Sequence, residues 1–134
     1  MLIKQVSVFA ENRPGRLREL LAALDVVGIS IRALSIAETI EFGIVRLILS
    51  DTDRGTRALK DAGFTVVVND VLAVQVPDKP GGLLKTVADP LTEAGINIEY
   101  LYAFADRPLE NALVVLKASD LNRAEKVIAD AARG

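Results

Sequence analysis

The apolar positions of the chain change their period in a fixed order, and that order occurs twice. Residues 2 to 9 read as a strand, with Val6 and Val8 on one side. Pro14 and Gly15 interrupt it. Beyond them Leu17, Leu20, Leu21, Leu24 and Val27 recur at helical spacing and share one face. Pro14 stands where that helix starts, since the N–H that proline lacks would have no partner in a first turn, and Gly28 marks the stop. Residues 29 to 37 and 44 to 49 are rich in Ile, Leu and Val on either side of a turn around Glu38 to Gly43, the pattern of an antiparallel hairpin. A shorter helix follows from about Thr52 or Asp53, carries Ala58 and Leu59 inward and ends at Gly63, leaving Phe64 to Val68 as another strand. The order is βαββαβ.

Residues 72 to 98 repeat residues 6 to 31. Pro14, Gly15 and Leu17 match Pro80, Gly81 and Leu83, Gly28-Ile29 matches Gly95-Ile96, and Ser50-Asp51 matches Ser119-Asp120. The pattern predicts strands at about 71 to 76, 96 to 105 and 111 to 117, and helices at about 81 to 94 and 120 to 132. The modules are residues 1–69 and 70–134. No strand follows the last helix, so the second copy is βαββα unless another segment supplies the missing strand, and an edge left open would invite self-association. The second copy also has one extra residue between its Pro-Gly and its Gly-Ile, in the helix that holds Pro90. An interior proline removes a hydrogen bond and collides with the carbonyl four residues back. The inserted residue is expected to form a bulge that absorbs it. The predicted fold class is α+β, two ferredoxin-like modules with antiparallel sheets and both helices on one face.

Composition narrows the chemistry. Of the 134 residues 51% are apolar and 25% charged, with 16 Lys plus Arg against 18 Asp plus Glu, which describes a globular domain. There is no His and no Cys. Imidazole bases, Ser-His-Asp triads, thiolate nucleophiles, disulfides and most transition-metal sites are therefore excluded. No metal loop and no cofactor motif is present, and the expectation is a protein that is not an enzyme. A net charge of -2 without a basic run argues against nucleic acid and anionic membranes as partners. No apolar stretch approaches the ~20 residues of a membrane span, and a cytoplasmic location is expected.

The duplicated polar chemistry sits in Glu11-Asn12-Arg13-Pro14-Gly15 and in Pro77-Asp78-Lys79-Pro80-Gly81-Gly82, each between a strand and a helix. Such a junction offers unpaired N–H groups and the positive end of a helix dipole to a carboxylate. Asn12 and Asp78 hold equivalent positions and can accept from an ammonium group. Read from local chemistry alone, they are turn or helix-start partners before they are ligand groups. Arg13, Arg16 and Lys79 stand close enough to hold a carboxylate or to be solvated. Tyr100, Tyr102 and Phe104 share one face of a strand and read as core or interface. Asp51, Asp53 and Asp61 read as helix caps and surface charge, and Asp106-Arg107-Pro108 as a hairpin turn.

The ENRPGRL opening, the GISI strand and their second copies resemble the ACT domain, a βαββαβ module that binds amino acids, and the chain is similar nearly end to end to stand-alone tandem ACT proteins. The resemblance implies a regulatory protein that holds an amino acid between modules, by the strand-helix loop of one and the second strand of its neighbour. Carried over, the loop residues are Asn12, Arg13, Pro14, Gly15, Arg16 and Leu17 in the first copy and Asp78, Lys79, Pro80, Gly81, Gly82 and Leu83 in the second. The second-strand residues are Ser30 and Asn97, so that Asn12 would face Asn97 and Asp78 would face Ser30. A His that contacts ligand in serine-sensing members is Ala10 here and Val76 in the second copy. That departure points away from serine, toward an apolar or larger side chain. A homodimer is expected. The alternative is a regulatory subunit that contacts a metabolic enzyme, like the small subunit of acetolactate synthase, without a ligand of its own.

Overall fold

Proline, glycine and the alternation of apolar side chains divide each half of the chain into the same elements. A computed structural model describes residues 1–38, 42–107 and 110–133. The chain splits into two compact units, Lys4–Asn69 and a second made of Asp70–Gly134 with Met1–Ile3.

The first unit holds β1 (Leu2–Glu11), α1 (Arg16–Val26), β2 (Ile31–Glu38), β3 (Phe42–Leu49), α2 (Thr52–Asp61) and the beginning of β4 (Thr65–Pro77). Its strands lie in the order β2-β3-β1-β4, with β3 antiparallel to both β1 and β2. Val6, Val8, Ala10, Val45 and Leu47 meet Leu20 and Leu24 of α1 and Leu59 of α2 in one buried cluster, so both helices cover the same face. On the other side of β1, Gln5 is fully buried and its amide donates to Ser7 Oγ and Asn69 Oδ1 at 3.2 and 3.5 Å, which offsets its desolvation.

The second unit continues β4 and adds a π-helical turn (Leu84–Ala88), α3 (Asp89–Glu93), β5 (Ile98–Arg107), β6 (Asn111–Ala118) and α4 (Leu121–Arg133). β6 lies antiparallel between β4 and β5. No strand follows α4 among the described residues. Met1 instead exchanges two backbone hydrogen bonds with Ala73, 2.9 and 3.2 Å long, as antiparallel neighbours do. The first residues of the chain thus lie along this edge of β4. Leu72, Val76, Val114 and Leu116 pack with Val87, Leu91 and Ile128. Tyr100, Tyr102 and Phe104 pair with Lys117, Val115 and Leu113, on the face away from that cluster, and are half-buried.

The extra residue does meet Pro90. The Asp89 amide donates to Leu84 O, five residues back, which widens the turn just where proline has no N–H to give. Pro14, by contrast, precedes α1 rather than opening it, because Gly15 at φ 85° turns the chain before the first helical residue, Arg16. The strands expected at 64–68 and 71–76 prove to be one, β4, which begins at Thr65 and leaves Phe64 outside it. The turn expected around Glu38 to Gly43 and the one at Asp106-Arg107-Pro108 fall on or beside residues outside the described set. No described helix is long and apolar enough to cross a membrane.

Candidate ligand site at the strand-helix loop

The two loops are built by the same bonds. Arg13 N–H donates to Glu11 O and Lys79 N–H to Pro77 O, both at 2.9 Å; Glu19 N–H donates to Gly15 O and Lys85 N–H to Gly81 O, both at 3.0 Å. Gly15 and Gly81 carry φ of 85° and 79°, a left-handed conformation that costs a residue with Cβ about 1–2 kcal/mol. No side chain caps α1, and the amides of Leu17 and Arg18 donate to no backbone carbonyl among the described residues.

Beside the first loop lies a cavity of about 140 Å³ lined by Ala10, Glu11, Asn12, Arg13, Arg16, Leu17, Ile36, Gly43 and Val45. Pocket residues therefore come from the end of β1, the loop, the start of α1, and β2 and β3. Pro14 and Gly15 shape the turn but do not line the cavity. The Asn12 side chain is exposed and makes no hydrogen bond or ion pair among the described residues.

Arg16 is committed to its own neighbours. Its guanidinium stands 2.7 Å from Glu11 and 2.7 Å from Glu19, and lies 3.8 Å over the Phe64 ring. The Nε contact to Glu11 has ion-pair distance without hydrogen-bond alignment. Arg13 joins the cluster at 3.4 Å from Glu19 and 3.8 Å from Glu11. The hydrogen bond to Glu19 pushes the pKa of Arg16 further up, against a smaller opposing effect of burial. Its counterpart, the hydrogen bond from Arg16, holds the Glu19 carboxyl below the usual range. Two arginines and two carboxylates close on one another, so neither arginine is held out for an incoming anion. Glu19, and the apolar wall of Ile36 and Val45, were not picked out from sequence, and Glu11 was read only as the first residue of the loop. The Arg16–Glu19 pair was legible as an i, i+3 spacing.

In the second loop the Asp78 amide donates to Glu110 O at 2.9 Å and the Gly82 amide to Lys79 O at 3.0 Å. A Cβ on Gly82 would overlap Pro77 O, so glycine fits where Arg16 stands in the first loop. Lys79, Pro80, Gly81 and Leu83 complete this loop. A larger cavity of about 670 Å³ in the second unit, between β4 and α4, includes none of them.

Ser30 and Asn97 sit at the entrances of β2 and β5, exposed. Their amides donate to Ser50 Oγ at 2.9 Å and Ser119 Oγ at 3.0 Å. In the first unit Ser30 is next to the Ile31–Leu49 pair while the Asn12 loop follows the Glu11–Phe42 pair, so the two are separated by a strand length, roughly 20–25 Å. The same ordering holds for Asn97 and Asp78. Each unit's own fold keeps its loop residue and its second-strand residue apart.

The family model for an ACT domain pair matches residues 1–132. Among solved structures, protein BT0572 from Bacteroides thetaiotaomicron is 39% identical, with a TM-score of 0.90, covering 97% of this chain and 88% of that one. The ligand-free regulatory subunit of aspartate kinase from Thermus thermophilus is 16% identical, with a TM-score of 0.70 over 98% of this chain and 95% of that one, a likeness of fold. The aspartate kinase of Clostridium acetobutylicum contains the same fold in 33% of its length, at 16% identity and a TM-score of 0.54 over 97% of this chain. No curated protein gives a significant match. With the repeated βαββ order, the duplicated loops and a family match over both halves, the chain belongs to the ACT domain pairs.

Proposed function

We propose that this protein binds a free amino acid at the Asn12 loop and regulates a partner without catalysing a reaction. The observation that carries the reading is an Asn12 side chain without a partner among the described residues, at a cavity whose lining charges are already paired. Asn12 would accept from the ligand ammonium group, and the amides of Leu17 and Arg18 would receive its carboxylate. The cavity, about 140 Å³, is well below the ~300 Å³ at which pockets for drug-sized ligands begin, which suits a small occupant. Asp78 and Gly81 offer an equivalent but differently closed second loop.

Ser30 and Asn97 reach a loop only when another module supplies them, so self-association, as a homodimer, is part of the proposal. Ligand bound in such an assembly favours one arrangement of modules, and a partner that recognises that arrangement responds to ligand concentration. The test is thermal unfolding against all twenty amino acids. A ligand at about 100 times its Kd adds roughly 2.7 kcal/mol to the folded state. A selective shift that Asn12→Ala abolishes supports the proposal; no shift with any amino acid sinks it.

A second reading is favoured by the closed charge cluster of Arg13, Arg16, Glu11 and Glu19, which presents no spare cation to a carboxylate. In it the protein is a regulatory subunit that acts on a metabolic enzyme by contact alone. Co-purification with a larger catalytic protein, unaffected by amino acids, would select it.

A further inference from the structure

The shape and charge of the cavity beside Asn12 also select the side chain of its occupant. On the strand side the hollow exists because two small residues face each other: Ala10 of β1 is the direct partner of Gly43 of β3. Next to them Val45 pairs with Ile36 of β2. These four and Leu17 of α1 make the apolar part of the lining. Ile36 and Leu17 are exposed at 50% and 37%, large apolar side chains at the rim that a ligand would cover.

The polar part of the lining carries no charge left to match. Glu11 is 2.7 Å from Arg16, Arg16 is 2.7 Å from Glu19, and Arg13 is 3.4 Å from Glu19. An acidic or basic ligand side chain would have to compete with one of these pairs for its partner. A hydroxyl pointing at Ala10, Gly43 and Val45 would lose water with no side-chain donor or acceptor to replace it. An aromatic ring exceeds what remains of about 140 Å³ once the ligand backbone is seated.

We infer that the first-loop site selects an amino acid with a short aliphatic side chain, of the valine class, which the Ala10–Gly43 hollow receives and Ile36 and Leu17 cover. This rests on the amino-acid reading of the same loop and goes beyond it in naming the side chain.

The experiment is calorimetric titration of the full chain with L-valine, L-threonine, L-aspartate, L-lysine and L-phenylalanine. Threonine is the sharpest probe, because it keeps the shape of valine and adds only a hydroxyl. Apolar pockets separate such pairs by about 100-fold and single methylenes by about tenfold or more. Valine is expected to bind at least about tenfold more tightly than each of the others. Two variants place the effect. Among the described residues an added Cβ at Gly43 meets Ala10 O and Ala37 O, both at 3.8 Å, so Gly43→Val is expected to fold while filling the hollow and abolishing valine binding. Ile36→Ala, at an exposed position, is expected to weaken valine about tenfold.

Threonine, aspartate, lysine or phenylalanine binding as tightly as valine would overturn the aliphatic selection and leave the amino-acid reading intact. Valine binding to a folded Gly43→Val variant with parental affinity would overturn the placement of the side chain. Silence with valine would overturn this inference, and silence with all twenty amino acids in the thermal series would overturn the reading on which it rests as well.

Discussion

Replacing Gly82 by alanine tests how the second loop is closed. The new Cβ would overlap Pro77 O and lie 3.2 Å from Pro77 C and 3.5 Å from Val76 Cγ1. The first two atoms are backbone and do not rotate away. Pro77 O accepts from Lys79 N–H at 2.9 Å, and the next residue is pinned by the bond from Asp78 N–H to Glu110 O, also 2.9 Å. Relief therefore breaks or stretches one or two hydrogen bonds, each contributing about 0.5–1.5 kcal/mol, and a loss of about 1–3 kcal/mol follows. Overpacking elsewhere costs a similar amount. At position 16, the equivalent place in the first loop, the native side chain already has a Cβ, so Arg16→Ala has no such steric cost. Urea unfolding followed by circular dichroism gives the difference directly, and the thermal midpoint should fall by about 2–8 °C per kcal/mol, depending on whether one unit or the whole chain unfolds cooperatively. A Gly82→Ala variant within about 0.5 kcal/mol of the parent, outside the expected range of about 1–3 kcal/mol, would refute the close approach.

The helix caps make a paired test: Asp51 accepts from Arg54 N–H at 3.2 Å and Asp120 from Arg123 N–H at 3.1 Å, so alanine at either should cost about 0.5–2 kcal/mol by urea unfolding. Leu59 is fully buried where α2 meets the sheet, and Leu59→Ala should cost about 2–5 kcal/mol through lost burial and a residual cavity. The lowered pKa of Glu19 carries a signed pH dependence. Its native value lies below its unfolded one, so the charged carboxylate stabilises fully above the unfolded pKa, about 4.3, and that contribution is lost as pH falls through the lower native value. The difference in thermal midpoint between the parent and Glu19→Gln should therefore be constant from pH 7 to about pH 5 and shrink toward pH 3; a difference that grows on acidification contradicts the ion-pair geometry.

Much of the fold was legible because local and long-range signals agree. Ser50-Asp51 and Ser119-Asp120 align in sequence, and each pair does the same two things. The serine hydroxyl ties the entrance of the second strand, at Ser30 or Asn97, and the aspartate caps the following helix. The pairing of Pro90 with an inserted residue was legible for the same reason, since a missing N–H and a surplus residue have one common remedy in a wider turn. The edge partner of β4 was not, because the residues that fill it are Met1–Ile3, some seventy positions away, and nothing in their composition marks them for that place. The cavity was half legible. Asn12, Arg13, Arg16 and Leu17 come from one stretch of chain, whereas Ile36, Gly43 and Val45 arrive through strand pairing, which period alone does not register.

The repeat that reveals the family also exposes where the two halves have parted. Their loops share backbone bonds, glycine conformations and helix starts, so a ligand that used only backbone groups would find the two alike. Position 16 holds an arginine that gathers Glu11, Glu19 and Phe64, while its counterpart, Gly82, brings the chain against Pro77. Position 10 is alanine and its counterpart is Val76, two methyl groups larger at the place where the first unit has its hollow. The partner of Ala10 is Gly43 and that of Val76 is Ala112, so the second unit is bulkier on both strands of the pair. The exchanges of Ala10 for Val76 and of Gly43 for Ala112 act in one direction, adding bulk near the second loop where the first keeps space open. On the proposed reading, a ligand held through its side chain fits the first loop, and the second offers backbone geometry and the Asp78 carboxylate alone.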